Sequence, residues 1–219
     1  MSVPIDIVIA TRNAGKVREL RALMRVPGIR WRSLDEFSTH PAVREIGKTF
    51  FDNAAKKAIE TARRIGCLAL ADDSGLEVDA LSGAPGIHSA RYAGHQGDDE
   101  ANNAKLLRAL RDVPTSRRRA GFRCVLVLAD ASRVLASTEG IIRGRIAHEP
   151  AGSGGFGYDC LFFIPLLKKT SAQLSARAKN QISHRAEAAR RMQRRLRAAM
   201  RANGFLATAR AGGQTARPG

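Results

Sequence analysis

The sequence predicts a mixed β-sheet with helices packed against it, the arrangement of the α/β class. In the N-terminal half, apolar segments of strand length alternate with segments in which apolar residues recur at helical spacing. In the middle of the chain, three strand-sized segments follow one another without a helix between them. Hydrophobic residues make up 44% of the 219 residues and charged residues 26%, which is typical of a globular protein. Together these patterns indicate a mixed α/β sheet.

The chain opens with a strand, a polar turn and a helix. Ile5–Ala10 is a continuous apolar run and predicts a buried strand. Thr11–Gly15 is polar, and Lys16–Val26 then carries apolar residues at helical spacing. Ile29–Leu34 is a candidate for the second strand.

A longer helix and a third strand follow. Thr49 is a helix N-cap candidate with Asp52 three residues on, which resembles a capping box, and the helical pattern continues to Gly66. Cys67–Ala71 predicts a short apolar strand. It runs into Asp72-Asp73-Ser74-Gly75, a sequence that is also typical of a turn.

The second half of the chain begins with a helix that opens at Asp98-Asp99-Glu100, where acidic residues suit the positive end of the helix dipole. A glycine-rich loop at Gly152–Gly157 precedes a last, heavily cationic helix at Asn180–Met200. Residues 202–219 are basic and lack periodicity, so we expect a flexible tail. The three consecutive strands are predicted at Phe122–Ala129, Val134–Glu139 and Ile141–Ala147.

Charge and cysteine content narrow the class of protein. The net charge of +17 suggests a polyanionic partner, either a nucleic acid or a nucleotide, although residues 177–219 alone contribute +10 of it. No apolar run approaches the 18 residues of a membrane span, and no secretory signal is visible. Three widely spaced cysteines fit a reduced cytoplasmic protein better than a disulfide scaffold or a zinc site.

Two segments could bind phosphate and metal. Thr11–Lys16 lies between a strand and a helix, where backbone N–H groups bind phosphate and the Lys16 ammonium adds a full charge. It is not a Walker A loop, because Val17 follows the lysine. Asp72 and Asp73 could hold Mg2+, and since neighbouring strand residues point to opposite faces, one should face the site while the other supports it. Glu45 is a further carboxylate candidate that by itself would be interpreted as surface charge.

Two later segments could bind a nucleobase. In the loop Gly154–Asp159, glycines allow close approach of a ligand, and Phe156 and Tyr158 could stack on a base while Asp159 accepts from a base N–H. The alternative is a connecting loop whose aromatic side chains cap the core. Ser183 can cap the last helix, which puts His184 and Arg185 in its first turn, a position that disfavours cations unless an anion or a carbonyl oxygen lies nearby.

Taken together and in this order, these segments resemble the inosine/xanthosine triphosphate pyrophosphatase family, whose members hydrolyse deaminated purine nucleoside triphosphates. The resemblance extends from about Ile5 to about Arg197, and ADDSGLEVDAL followed by GAPGIHSARYAG is its most specific part. The other matching stretches are IVIATRNAGKVREL, EIGKTFFDNAAKKA, GFRCVLVLAD, EPAGSGGFGYD and NQISHR.

The resemblance implies a role for each matching position. Asp73 would be the general base, Glu45 and Asp73 would bind Mg2+, and Ser74 would contact substrate. The residues that would hold the triphosphate are Thr11, Arg12, Asn13, Ala14, Gly15, Lys16 and Lys57. Those that would form the base pocket are Phe156, Gly157, Tyr158, Asp159, Lys179, His184 and Arg185.

The resemblance also implies an architecture and an activity. Residues 1–201 would form a single domain with an elongated sheet and two lobes that enclose the active-site cleft, usually as a cytoplasmic homodimer. The reaction would be attack of water on the α-phosphorus of ITP, dITP or XTP, which yields the nucleoside monophosphate and pyrophosphate. Donors in the pocket would donate to the 6-oxygen of these bases, whereas the 6-amine of adenine would leave them unpaired.

Two alternatives remain open from the sequence. A nucleic-acid-binding protein that uses the basic C-terminal region is one, although the chain has no RNP, zinc-finger or helix-turn-helix signature, so we expect no specific nucleic acid partner. The other is a related pyrophosphatase of the septum-inhibitor type, which acts on modified pyrimidine nucleotides. The SHR segment and the GGFGYD loop favour the purine interpretation.

Overall fold

The structure, a computed structural model, describes residues 4–37 and 43–201, which form a seven-stranded sheet flanked by α-helices. The strands are β1 (Ile5–Ile9), β2 (Ile29–Ser33), β3 (Leu68–Val78), β4 (Arg119–Ala129), β5 (Val134–Ile146), β6 (Phe162–Ile164) and β7 (Lys169–Thr170). The α-helices of the described residues are α1 (Ala14–Leu23), α2 (Phe50–Ile65), α3 (Asp99–Ala109), α4 (Ala176–Ile182) and α5 (His184–Arg201).

The sheet is mixed, as the sequence predicts. Its strand order is β2-β1-β3-β4-β5-β6-β7. Strand β1 pairs in parallel with β2, where Ile5 lies opposite Ile29, and with β3, where Ile7 lies opposite Leu68. Strands β5, β6 and β7 pair antiparallel. The predicted α/β class is therefore confirmed.

The chain divides into two compact units, the first of which contains described residues of the ranges 4–73, 125–139 and 188–201. Its core joins β1 to the apolar faces of α1 and α2; Val8, Leu20 and Ala58 are fully buried. Helix α2 begins with a capping box in which the Thr49 hydroxyl accepts from the Asp52 N–H at 3.1 Å, as the sequence predicts. Helix α5 is tied to α1 through the Gln193 side chain, which donates to the Leu23 carbonyl.

The second unit contains residues 74–124 and 140–187 and has a core of its own. Phe122 and Phe162 pack at the centre of this core with ring centroids 4.7 Å apart. The buried Arg118 guanidinium donates to the carbonyls of Leu110 at 2.6 Å, Val113 at 2.9 Å and Ala147 at 3.1 Å. These bonds close the C-terminal end of α3.

Several element boundaries differ from the prediction. Strand β3 does not end at Ala71 but continues through the turn-like sequence Asp72–Gly75 to Val78, because Leu76 and Val78 are buried apolar residues of strand spacing. Strand β5 is one strand where two were predicted, since Gly140 continues it without a turn. Strands β6 and β7, of three and two residues, were not predicted.

The last predicted helix is two helices, α4 and α5, that break at Ser183. The Ser183 hydroxyl accepts from the Ala186 N–H at 3.1 Å, which confirms its predicted role as the cap of the final helix. None of the helices among the described residues is long and apolar enough to cross a membrane. The predicted basic tail, 202–219, lies outside the described residues.

Candidate functional site

The turn between β1 and α1 has the features of an anion site. The Asn13 side chain caps α1 by accepting from the Lys16 N–H at 2.9 Å, and the Asn13 N–H donates to the Thr11 hydroxyl at 3.2 Å. The helix begins at Ala14, two residues earlier than predicted. The first N–H groups of a helix have no acceptor within it and carry partial positive charge, and the first turn of α1 has no acidic residue. Arg12 lies exposed in the same turn.

Lys16 is held at this turn by a buried carboxylate. Its ammonium lies 2.6 Å from Asp72 Oδ1, and the Asp72 side chain is fully buried. Of the two aspartates, one was expected to face the site and the other to support it; Asp72 holds a cation of the candidate phosphate site.

Lys57 contacts the other two candidate carboxylates, Glu45 and Asp73. From α2, its ammonium donates to Glu45 Oε1 at 2.7 Å, to Asp73 Oδ1 at 3.0 Å and to the Asp72 carbonyl at 2.9 Å. Burial lowers the pKa of Lys57, but the charges of Asp73 and Glu45 outweigh that effect, so the pKa lies above its ordinary value. Burial raises the pKa of Asp73 above its ordinary value, against the opposing charges of Lys57 and Lys16.

The donor set of this cluster fits Mg2+. Glu45 and Asp73 offer carboxylate oxygens, and Mg2+ is usually bound through one or two carboxylates while water and substrate phosphate complete its shell. Asp73 Oδ2 is buried and has no hydrogen-bond partner among the described residues. Within residues 4–37 and 43–201 no three His, Cys, Asp or Glu side chains form a group that could hold a metal by themselves.

The segment that carries Glu45 is fastened to α2 by Asn53, which the sequence analysis missed. The Gly47 N–H donates to Asn53 Oδ1 at 2.8 Å, and Asn53 is 1% exposed. A side chain at Gly47 would place its Cβ 2.6 Å from Asp52 Cβ, so the segment can approach the helix this closely only with glycine. Asn53 precedes Lys57 by one helical turn, and that spacing is the signal that could have identified it.

A second cluster surrounds the Phe156 ring. The Lys179 ammonium lies 4.9 Å from the ring centroid and the Arg185 guanidinium 5.7 Å from it. Lys179 also forms an ion pair with Asp159 Oδ2 at 2.5 Å, and the same oxygen accepts from the Phe156 N–H at 3.0 Å. The loop folds this tightly because Gly155, at φ +79°, has no side chain; a Cβ there would lie 2.1 Å from Asp159 Oδ2.

Two further predicted residues join this cluster from α5. Arg185 is 1% exposed and donates to the Ser74 hydroxyl at 2.9 Å. His184 stacks on the Phe122 ring with centroids 4.9 Å apart and an interplanar angle of 14°. The structure thus brings Ser74, Phe156, Asp159, Lys179 and Arg185 together, with His184 beside them.

Tyr158 does not have the predicted role. Its ring lies in the core of the second unit, 4% exposed, and its hydroxyl donates to the Ser89 carbonyl at 2.9 Å. The prediction that this ring stacks on a base is therefore wrong, and the alternative of an aromatic residue that caps the core holds for it. The sequence could not separate the two aromatic residues of the loop, because only their environment differs.

Helix α3 also contacts the loop, which the sequence analysis did not anticipate. The Gly157 N–H donates to Asp99 Oδ2 at 2.6 Å, and Asn103 Nδ2 donates to the Gly157 carbonyl at 3.0 Å. The acidic start of α3 was predicted only as a dipole effect.

Comparisons with known proteins assign the chain to a family. The model of the Ham1 family matches residues 7–195. The chain is 52% identical over 184 residues to a dITP/XTP pyrophosphatase of Desulforamulus reducens, a match that covers 84% of this chain and 92% of that protein. It is 51% identical over 196 residues to a dITP/XTP pyrophosphatase of Thioalkalivibrio sulfidiphilus, which covers 88% of this chain and 98% of the relative.

Solved structures of Ham1 proteins have a similar fold. The Staphylococcus aureus Ham1 protein superposes with a TM-score of 0.78 at 42% identity, covering 88% of this chain and 98% of that one. A HAM1 protein from Coxiella burnetii gives a TM-score of 0.79 at 40% identity with the same coverage. Since sequence and fold agree over nearly the whole described chain, the protein belongs to the Ham1 family.

Proposed function

We propose that this chain is a nucleoside triphosphate pyrophosphatase that hydrolyses ITP, dITP and XTP to the nucleoside monophosphate and pyrophosphate. The observation that carries the proposal is the agreement between relatives and site. Relatives about half identical over most of the chain are named dITP/XTP pyrophosphatases, and this chain holds both a carboxylate–lysine cluster and a cationic aromatic cluster. The first cluster suits phosphates and a metal, and the second suits a purine.

The first cluster would bind the triphosphate. The turn Thr11–Lys16 offers the N–H groups of a helix N-terminus, and Lys16 and Lys57 offer two ammonium groups. A triphosphate carries about four negative charges, which these groups would offset together with a bound cation. We propose that phosphate oxygens also bind the Lys57 ammonium, which Glu45 and Asp73 hold in place.

Asp73 would be the general base. Glu45 and Asp73 would hold Mg2+, which when bound would polarise the phosphoryl oxygens and offset their charge. Asp73 would orient water toward the α-phosphorus and take up its proton as the bond to the pyrophosphate leaving group breaks. Its buried environment supports this role, because a raised pKa makes a carboxylate a stronger base than an exposed one.

The second cluster would bind the base. Phe156 would stack against the purine, and Lys179, His184, Arg185 and backbone groups would donate to its 6-oxygen. A 6-amine would leave such donors unpaired, at about 1–3 kcal/mol each. Two mismatches would reduce kcat/KM for ATP by on the order of a hundredfold or more. Asp159 would act mainly as the brace of Lys179, since their ion pair is buried.

The same proposal extends to properties beyond the reaction. We propose Mg2+ as the metal, a homodimer as the assembly, the cytoplasm as the location and residues 1–201 as one catalytic domain. Support for these comes from the family resemblance and, for Mg2+, from the oxygen donors of Glu45 and Asp73.

The test is pyrophosphate release with Mg2+ from ITP, dITP and XTP, compared with ATP, GTP, CTP and UTP, with products identified by chromatography. Monophosphate and pyrophosphate formed selectively from the 6-oxo substrates ITP, dITP and XTP are expected. Asp73→Asn should lower kcat by a factor of about 10²–10⁴. Asp112→Asn is the matched control, because that carboxylate is 88% exposed. Orthophosphate release, equal rates on all bases, or normal turnover by Asp73→Asn would overturn the proposal.

A further inference from the structure

Helix α3 holds one residue of the base-binding loop through both of its backbone polar groups. Asp99 accepts from the Gly157 N–H and Asn103 donates to the Gly157 carbonyl, at 2.6 Å and 3.0 Å. Asp99 and Asn103 are four residues apart, so they lie on one face of the helix. The two bonds fix the peptide planes on either side of Gly157, whose φ is +63°. They therefore set the direction in which the preceding residue, Phe156, leaves the backbone.

Neither side chain is explained by the needs of α3 itself. The cap of the helix is Asp98, whose Oδ1 accepts from the Ala101 N–H at 2.9 Å, so the carboxylate of Asp99 is not required for capping. Asn103 keeps its Oδ1 buried without a hydrogen-bond partner among the described residues, which disfavours the folded state. A side chain that is kept in the fold at such a cost in stability, while it donates to the backbone of a loop, is typical of a functional position.

The contact matters because Phe156 is the surface against which two cations are placed. Tyr158 is anchored in the core and Asp159 is paired with Lys179, so the C-terminal side of the loop has its own supports. On the Phe156 side, the Phe156 N–H donates to Asp159 Oδ2, the Asp159 N–H donates to the Phe156 carbonyl at 3.3 Å, and α3 holds the next residue, Gly157.

We infer that Asp99 and Asn103 are positioning residues that set the base specificity of the enzyme by fixing Phe156 beneath Lys179 and Arg185. The inference rests on the proposed function. Any purine can stack on Phe156. Donation to a 6-oxygen, in contrast, requires the Phe156 ring and the donors Lys179 and Arg185 to be correctly placed relative to each other. A displacement of about 1 Å can reduce a rate by about a hundredfold, so a loosened loop penalises ITP more than ATP.

The test compares Asp99→Ala and Asn103→Ala with Glu100→Ala, a matched control that removes an exposed carboxylate from the same turn. Steady-state kinetics on ITP and ATP with Mg2+ are combined with equilibrium binding of IMP and of pyrophosphate. Asp99→Ala and Asn103→Ala should each lower the ITP-to-ATP ratio of kcat/KM by about tenfold, chiefly through KM for ITP, and weaken IMP binding by a similar factor. Pyrophosphate binding and the control should stay at wild-type values.

Two additional variants make the result specific to positioning. Asp99→Asn keeps an acceptor for the Gly157 N–H and should restore most of the ratio. The double variant Asp99→Ala/Asn103→Ala should lose little more than either single variant, because both side chains hold the same residue.

The failure of this inference is separable from the failure of the proposed function. If the wild-type enzyme shows no preference for ITP over ATP, both the proposed function and this inference are wrong. A wild-type preference that persists in Asp99→Ala and Asn103→Ala would overturn the inference alone. Equal losses on ITP and ATP, or a lower melting temperature with an unchanged ratio, would also overturn it, since they would show a structural role only.

Discussion

The adjacent aspartates Asp72 and Asp73 should have different roles, Asp72 in the stability of the fold and Asp73 in the reaction. Asp72 is fully buried and paired with Lys16, so Asp72→Asn should cost about 2 kcal/mol and lower Tm by roughly 4–8 °C. Asp73 has a raised pKa, so the folded state holds its proton more tightly and ionisation at neutral pH disfavours folding. Asp73→Asn should therefore keep or raise Tm while turnover is lost. Thermal unfolding at pH 7 checks both, and a large loss of Tm in Asp73→Asn would contradict this division.

Asn53 should act on metal affinity rather than on the chemical step. Asn53→Ala removes the acceptor of the Gly47 N–H and loosens the segment that carries Glu45, so the Mg2+ concentration for half-maximal rate should rise about tenfold or more. The rate at saturating Mg2+ should change little. Asn53→Asp retains an acceptor oxygen and serves as the conservative control. Titration of Mg2+ in the rate assay, with direct Mn2+ binding, separates the effects; an unchanged metal dependence would contradict the role given to Asn53.

At the scale of elements, Arg118 joins the end of α3 to the strands that follow. Its buried guanidinium donates hydrogen bonds to the carbonyls of Leu110, Val113 and Ala147. Arg118→Met would leave these carbonyls without those donors. We expect a loss of about 3 kcal/mol in the free energy of unfolding. Arg111→Met is the control, because Arg111 is 80% exposed and its pair with Asp112 contributes about 0–1 kcal/mol. Urea unfolding of the two variants measures the difference, and equal midpoints would contradict it.

The sequence predicted the elements whose signals are local and missed those set by tertiary partners. The capping box at Thr49 and the cap at Ser183 were visible in the sequence and are present. The turn-like Asp72-Asp73-Ser74-Gly75 is a strand instead, since the buried Leu76 and Val78 continue β3 into the core. In the candidate site, the family motifs indicated the charged residues. Asn53 and the contacts of Asp99 and Asn103 with Gly157 were not predicted, because side chains that bind a distant backbone group leave no periodic pattern.

At the scale of the whole molecule, the net charge of +17 should make stability depend on salt. Like charges repel most in the compact state, and added salt screens exposed charges while buried pairs such as Lys16–Asp72 and Lys179–Asp159 are screened less. Raising NaCl from about 20 to about 200 mM should therefore raise Tm by about 2–5 °C.

The basic excess does not depend on the C-terminal tail. Removal of residues 202–219 takes away only Arg210 and Arg217, which leaves a net charge of +15 on residues 1–201. The truncated chain should keep the salt response and hydrolyse ITP at a rate within about twofold of the full chain, since the matched family region ends at residue 195. Thermal unfolding across a NaCl series, with ITP hydrolysis on both chains, makes the comparison. A Tm that falls with salt would mean that favourable exposed ion pairs outweigh the repulsion, and lost hydrolysis would make the tail part of the catalytic domain.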